Sequence, residues 1–335
     1  MGRLAVFKLM YLISILGTFT IAVLTILGLV ASHADPNSHP GMAFIGLALP
    51  ALLIINVILI IYWTIRWRRW VWVPVIAILC NFNYISSVYQ FSFSTPQSTR
   101  NTVKVLTCNI HNFNDEITGY TAKEIERYMQ DKQIDIICFQ EFAANEDFTL
   151  DSLSNVFKKY PYQEVRSQLA VYSRYPIEKS LFIPFDNTNN CGLWTDIRIK
   201  DKTIRLFNVH MQTTNINQTR NLSTKRKLET LANNFKMRAK QSNLISYMIR
   251  TSPYPVILCG DFNDIPSSYT YRQLKGNLED GFKTSGSGYE YTFRNIYSFL
   301  RIDYIFYDPS MTGINYYSHS IDWSDHNPVV MELGL

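Results

Sequence analysis

The chain has 335 residues, 32 Lys and Arg against 27 Asp and Glu, and is 47% hydrophobic. Five of the basic residues (Arg3, Lys8, Arg66, Arg68, Arg69) and one acid (Asp35) fall in the first 90 positions, leaving 27 basic and 26 acidic residues beyond. That near-neutral remainder argues against the broad basic face of a protein that grips long nucleic acid by its backbone. The five cysteines have no zinc-ligand spacing, and Cys108, Cys138 and Cys259, inside apolar strand-like runs, read as small buried hydrophobes.

Two segments, about 10–30 and 42–65, are apolar and free of charge, and each matches the ~20 residues a helix needs to cross a bilayer core. A third, about 70–88, is interrupted by Pro74, Asn81 and Asn83; it reads as a third crossing, with an interfacial or re-entrant helix as the alternative. Arg3 and Lys8 precede the first segment, Arg66, Arg68 and Arg69 follow the second, and Ser32–Gly41 holds no Lys or Arg. The positive-inside rule then places residues 91–335 on the outer, extracytoplasmic side of a multi-pass protein. Ser32-His33-Ala34 would pass as a signal-peptide cleavage site, but the apolar run is longer than such a peptide needs, which favours a retained helix. The expected domains are therefore a membrane anchor over 1–90, a polar linker over 91–101, and a soluble domain over 102–335.

That domain opens with a strand-like run, Val103–Ile110, carrying Asn109 near its end. An amphipathic stretch (Thr121 to Lys132) leads to Ile134–Glu141, a second apolar run that ends on a carboxylate. Strand, helix and strand predict an α/β arrangement with polar residues gathered at strand ends. Leu169–Arg174 and Thr203–His210 continue the pattern. Pro255–Leu258 then runs into Cys259-Gly260-Asp261-Phe262-Asn263-Asp264-Ile265-Pro266. Asp261 and Asn263, two apart, aim a carboxylate and an amide at one point: the first can orient or deprotonate water, the second can donate to a charged oxygen. The stretch also suits a plain strand-ending turn. Arg301–Phe306 and Ser324–Val330 close the series with Asp303, Asp325 and His326. Singly, Glu141 suits a helix cap, His210 a satisfied core histidine and Asp325-His326 a turn. Their ordered combination points elsewhere.

In that order, Leu106–Ile110, Phe139-Gln140-Glu141, Asn208-Val209-His210, Gly260-Asp261-Phe262-Asn263, Asp303-Tyr304-Ile305 and Ser324-Asp325-His326 resemble the motifs of the endonuclease/exonuclease/phosphatase superfamily. Ser173–Pro176 and Thr292-Phe293 also look like family positions. The resemblance implies a four-layer α/β sandwich, two packed β-sheets flanked by helices, and a Mg²⁺- or Mn²⁺-dependent phosphoesterase. It implies Glu141 as main metal ligand, with Asn109 beside it and Asp325 binding directly or through water. Asp261 would activate the attacking water, Asn263, His210 and His326 would face the phosphate oxygens, and Asp303 would hold His326. An oxygen-rich set of this kind suits a hard cation.

The expected function is a membrane-anchored phosphodiesterase, with nuclease as the leading reading. A phospholipid or sphingomyelin-type phosphodiesterase, a sugar- or inositol-phosphate phosphatase, and an inactive tethered binding module are the alternatives. The expected partners are the bilayer and a phosphodiester substrate, nucleic acid or lipid head group. Residues 220–250 hold eight basic residues against Glu229 alone, with an apolar stripe of Leu228, Leu231, Phe235, Leu244 and Met248. They read either as a solvated outer helix or as an edge that meets nucleic acid or lipid head groups.

Overall fold

A computed structural model describes residues 3–91, 101–114, 119–143, 149–214, 222–294 and 299–335. Most of the expected linker (92–100) and Arg220 of the basic segment lie outside the described residues. The chain forms two compact units: Met1–Ser86 with Ile216–Ala239 and Pro266–Arg272, and Ser87–Asn215 with Lys240–Ile265 and Gln273–Leu335.

In the first unit, α1 (Arg3–Ala31) and α2 (Pro40–Ile65) have mean hydropathies of 2.4 and 2.8 and are long and apolar enough to cross a membrane. Both expose large side chains, among them Leu12, Leu16, Ile54, Ile58 and Ile61. A helix apolar all round, with such residues turned outward, belongs in lipid or deep in a core. The pair packs closely where a Cβ on Gly28 would stand 2.7 Å from Leu49, and polar bonds join it. Asn56 Nδ2 donates to Thr25 Oγ1 (2.7 Å) and Trp63 Nε1 to Thr18 Oγ1 (2.9 Å). Such bonds favour helix association where no hydrophobic effect operates. The third segment is two helices, α3 (Trp72–Cys80) and α4 (Phe82–Val88), bent by 60° at Asn81. There Asn81 Nδ2 donates to Thr25 O and Ala77 O (both 3.0 Å), so a side chain that interrupts the apolar run also fixes the bend. Counted together, the bent pair would be a third span.

The second unit holds two six-stranded sheets. One runs Thr312–Ser318, Val329–Gly334, Thr102–Asn109, Ile136–Gln140, Leu169–Ser173, Tyr162–Arg166 in spatial order. The other runs Glu279–Asp280, Asp303–Tyr307, Val256–Asp261, Lys202–His210, Cys191–Ile199, Ile177–Pro184. Alternation splits each strand's side chains between two cores. Val105, Cys138, Val171, Leu206, Cys259 and Val329 pack in the cluster shared by the two sheets. Leu106, Phe139 and Tyr172 face the other way, onto Ile125 and Met129 of the helix Tyr120–Asp131. The long helix Thr224–Arg250 serves the second sheet, where a Cβ added at Gly192 would meet Ile245 at 3.2 Å. This is the four-layer α/β sandwich expected. Cys108, Cys138 and Cys259 are buried free thiols, as their apolar neighbours predict; Cys191 is buried as well, and Cys80 is exposed.

Register gathers the polar strand ends. Strands 102–109 and 136–140 run parallel with Asn109 opposite Gln140, and strands 202–210 and 256–261 run parallel with His210 opposite Asp261. Parallel neighbours require a crossover, supplied by the helices 120–131 and 224–250. Antiparallel strand 303–307 puts Asp303 opposite Asp261. At the other end of the sequence, Tyr89–Gln90 pairs with Gly288–Tyr289, and Arg301 donates to Ser87 O (2.9 Å).

Candidate active site

Gly260 explains why a glycine precedes Asp261. Its φ is +136°, and a Cβ there would stand 2.0 Å from Val209 O on the neighbouring strand. Only glycine tolerates both. Asp261 follows, fully buried, and the turn is then fixed by Asn263, whose φ is +52°. Asn263 N–H donates to Asp261 Oδ1 (2.8 Å) and its Nδ2 to Asp261 Oδ2 (3.1 Å). Glu141 also has positive φ (+51°), placing its carboxylate just past the strand end with about a third of the side chain exposed. Non-glycine residues in this region of backbone space concentrate at functional sites.

Asn109 joins the two sheets' carboxylates. Its Oδ1 accepts from His111 N–H (3.0 Å), which orients Nδ2 toward Glu141 Oε1 (2.9 Å) and Asp261 Oδ2 (3.2 Å). The amide thus offers nitrogen to the carboxylates, while its oxygen is engaged by backbone. His210 Nε2 lies 3.7 Å from both Glu141 Oε1 and Asp261 Oδ2. His326 Nδ1 is 2.9 Å from Asp303 Oδ2, and its Nε2 is 3.9 Å from Asp261 Oδ2. Asp325 turns to His111 Nδ1 (3.3 Å). All eight residues singled out in the sequence therefore lie at the same end of the two sheets. Among the described residues, one group of acidic and histidine ligand atoms lies within 4.8 Å of one another: Asp261, Asp303 and His326. It overlaps the expected catalytic set and not the expected ligands Glu141, Asn109 and Asp325.

Burial and crowding set the charges. Burial first, and Asp303 second, push Asp261 up to about 7. Burial opposes protonation of His326, but Asp303 and Asp261 outweigh it and raise the imidazolium to about 10. Burial lowers His210 to about 4. The site thus pairs a poised carboxylate and a neutral imidazole with a cationic one. That combination can accept a proton from water and donate to a phosphate oxygen. The donor set also fits a divalent cation: the Glu141 side chain is about a third exposed, two further carboxylates stand close by, and Asp303 Oδ1 is buried without a partner among the described residues.

Supporting residues were less visible in the sequence. Thr292 Oγ1 accepts from the N–H groups of Ile302 and Asp303 (both 3.0 Å), and the Phe293 ring lies 4.9 Å from that of His326. Ser324 Oγ donates to Asn109 O (2.6 Å) and accepts from His326 N–H (3.1 Å). Gln140 Nε2 donates to Asn208 Oδ1 (2.6 Å), and Asn208 Nδ2 donates to Phe139 O and Ala170 O, riveting one sheet to the other beneath the site. Their only sequence signal was the family resemblance: Gln140, Asn208 and Ser324 sit inside its motifs, and Thr292-Phe293 is a family-like position of its own. His111 had none.

A family model described as the Endonuclease/Exonuclease/phosphatase family matches residues 106–326, and one described as a domain of unknown function matches 7–88. No curated protein matches the chain. Among solved structures, an endonuclease/exonuclease/phosphatase from Bacteroides vulgatus is 19% identical, with a TM-score of 0.55 over 70% of this chain and 100% of that one. TDP2 of D. rerio, complexed with single strand DNA product, is 16% identical, with a TM-score of 0.53 over 70% and 100%. A mannosyl-6-phosphatase of Bacteroides thetaiotaomicron is 21% identical, with a TM-score of 0.51 over 70% and 100%.

Proposed function

This chain belongs to the Endonuclease/Exonuclease/phosphatase family and is a phosphoester hydrolase of that type, and from that premise we propose that it is a membrane-anchored, divalent-metal-dependent phosphodiesterase. The observation that carries the reading is the convergence of Asp261, His326, Asp303, His210, Asn109 and Glu141 from both sheets.

In this reading Asp261, held by Asn263 and Asn109, orients the attacking water and takes its proton. His326, kept cationic by Asp303, donates to a phosphate oxygen. His210 donates to another, and the Asn263 amide, whose two N–H groups here go to Asp261 Oδ2 and Met211 O (both 3.1 Å), donates to the third by exchanging one of them. Glu141 would be the main ligand of Mg²⁺ or Mn²⁺, with Asp325 within reach and Asn109 orienting Glu141 by its N–H. Bound there, the cation would supply charge neutralisation on the phosphoryl group. The anchor comprises residues 1–90, with the catalytic domain on the outer side of the membrane.

Nucleic acid is the first substrate class in this proposal, in keeping with the DNA product bound to the D. rerio protein. A lipid phosphodiester is the second class, because α1 and α2, read as membrane spans, would tether the chain to a bilayer. The test is turnover by the purified full chain, with and without Mg²⁺, on oligonucleotides, phospholipid vesicles and sugar phosphates. Hydrolysis that depends on the metal and disappears in Asp261→Asn supports the reading. Undiminished hydrolysis by Asp261→Asn refutes the assignment.

A further inference from the structure

The basic helix 224–250 begins among the apolar helices. Its N-terminal part, up to Ala239, belongs to the same compact unit as α1 and α2. The Phe235 ring packs edge-on against Phe44 at 5.2 Å. The neighbouring segment comes still closer, since a Cβ on Gly46 would stand 3.2 Å from Ser267 O. Phe44 is the fifth residue of α2. A helix of 26 residues is ~39 Å long against a hydrocarbon core of ~30 Å, so Phe44 falls where head groups meet acyl chains. Phe235 shares that level.

The face carrying Phe235 continues as Leu231 and Leu228, spaced by four and three residues. Phe235 is buried, Leu231 is half-buried and Leu228 is 50% exposed, so the apolar face emerges from the protein as it runs toward the helix start. Lys225 and Lys227 stand roughly 80° to either side of Phe235's direction, and the Lys225 side chain is 87% exposed. Its pairing with Glu229 is 4.0 Å long and exposed, which leaves it open to exchange. An apolar stripe flanked by lysines, with Arg226 opposite, is the pattern of a helix lying in the plane of a membrane surface.

We infer that residues 224–235 are an interfacial helix that binds anionic lipid, with Leu228 and Leu231 at the acyl boundary and Lys225 and Lys227 on head-group phosphates. The inference rests on reading α1 and α2 as membrane spans. It assigns the basic segment to the membrane surface and not to a nucleic-acid track.

The test uses the full chain in nanodiscs of phosphatidylcholine with increasing phosphatidylglycerol. With exposed Cys80 replaced by Ser, a fluorophore is placed on Leu228→Cys and, separately, on Ile58→Cys in α2. Doxyl lipids labelled near the head group should quench the probe at 228 as phosphatidylglycerol rises. Lys225→Glu with Lys227→Glu should shift that response by at least fivefold per residue, the equivalent of about 1 kcal/mol for each lysine lost. Quenching at 58 with none at 228 in any lipid overturns the proposal alone. A probe at 228 that answers only to added oligonucleotide also overturns it, in favour of a nucleic-acid grip. Absence of quenching at 58 by deep-labelled lipid overturns the span reading and this proposal with it.

Discussion

Both the apolar helices and the end of the two sheets bury polar side chains, but on opposite terms. Between α1, α2 and α3 the buried polar groups are neutral (Thr18, Thr25, Asn56, Asn81), and their donors find oxygens on another helix or one turn away. At the sheet ends the groups are ionisable and crowded, with Asp261 opposite Asp303, His326 against Asp303, and backbone strain at Glu141 and Asn263. The first arrangement holds helices together. The second crowds titratable groups together and shifts their pKa values. Polar groups that stabilise should cost stability when removed, and polar groups kept for chemistry should cost rate.

The largest expected effect falls on rate. Asp261→Asn and His326→Gln should each lower kcat by roughly a thousandfold or more, the range seen when a general base or a charge-stabilising donor is lost. Thermal stability should hold in Asp261→Asn, which removes one of two crowded carboxylates, and fall in His326→Gln, which strips the buried Asp303 of its partner. The measurements are turnover on a soluble diester and a melting curve of the same sample. A variant that loses stability and keeps turnover would reverse the comparison. Next in size, Glu141→Gln should raise the Mg²⁺ concentration for half-maximal activity by roughly tenfold or more. A metal titration matching the parent would remove Glu141 from the ligand set.

How much of this was legible depends on whether a feature is local. Apolar strands ending on Asn109, Glu141, His210 and Asp261 could be read in order, because alternation and strand ends are written in neighbouring residues. Parallel register, Asn109 opposite Gln140 and His210 opposite Asp261, is what brings those ends together, and it follows once strands flank a crossover helix. Gly260 could be read as a turn residue, but the close approach there was not legible, since the atom that forbids a side chain is Val209 O on another strand. Nor was the orientation of the Asn109 amide, which a backbone N–H two residues on decides. The stripe on 224–250 showed a helix, while the partner of Phe235, Phe44, lies nearly two hundred positions earlier.

A buried charge away from the site tests the same distinction at intermediate size. Glu290 accepts from Tyr316 O–H (3.0 Å) near Arg301, which is fully buried and bonded twice to Asp280. Burial raises the Glu290 carboxyl from the ordinary 4.5 to about 7, against the pull of Arg301. Between those values the folded protein binds a proton that the unfolded chain has lost, so stability falls as pH rises from about 5 to about 7 and then levels off. Glu290→Gln should flatten that slope, by on the order of 2 kcal/mol across the window, in denaturation curves taken at several pH values. A slope unchanged in the variant would locate the titration elsewhere.

The smallest expected effect lies between the apolar helices. Thr25→Val keeps the shape of the side chain and removes the oxygen that accepts from Asn56 Nδ2; Asn56 Nδ2 retains Leu52 O on its own helix (2.8 Å). Because a partner within the helix remains, the loss should resemble the ~0.6 kcal/mol typical of one hydrogen bond between membrane helices, not the larger penalty of an orphaned amide. Asn56→Leu in the same background should add little, since the pair is then already broken, and a double-mutant cycle would show the coupling. Turnover on a soluble diester should match the parent in all three variants. Loss of turnover with unchanged stability would mean that the helix pair adjusts the chemistry, and the division between a region that holds and a region that reacts would fail at its weaker side.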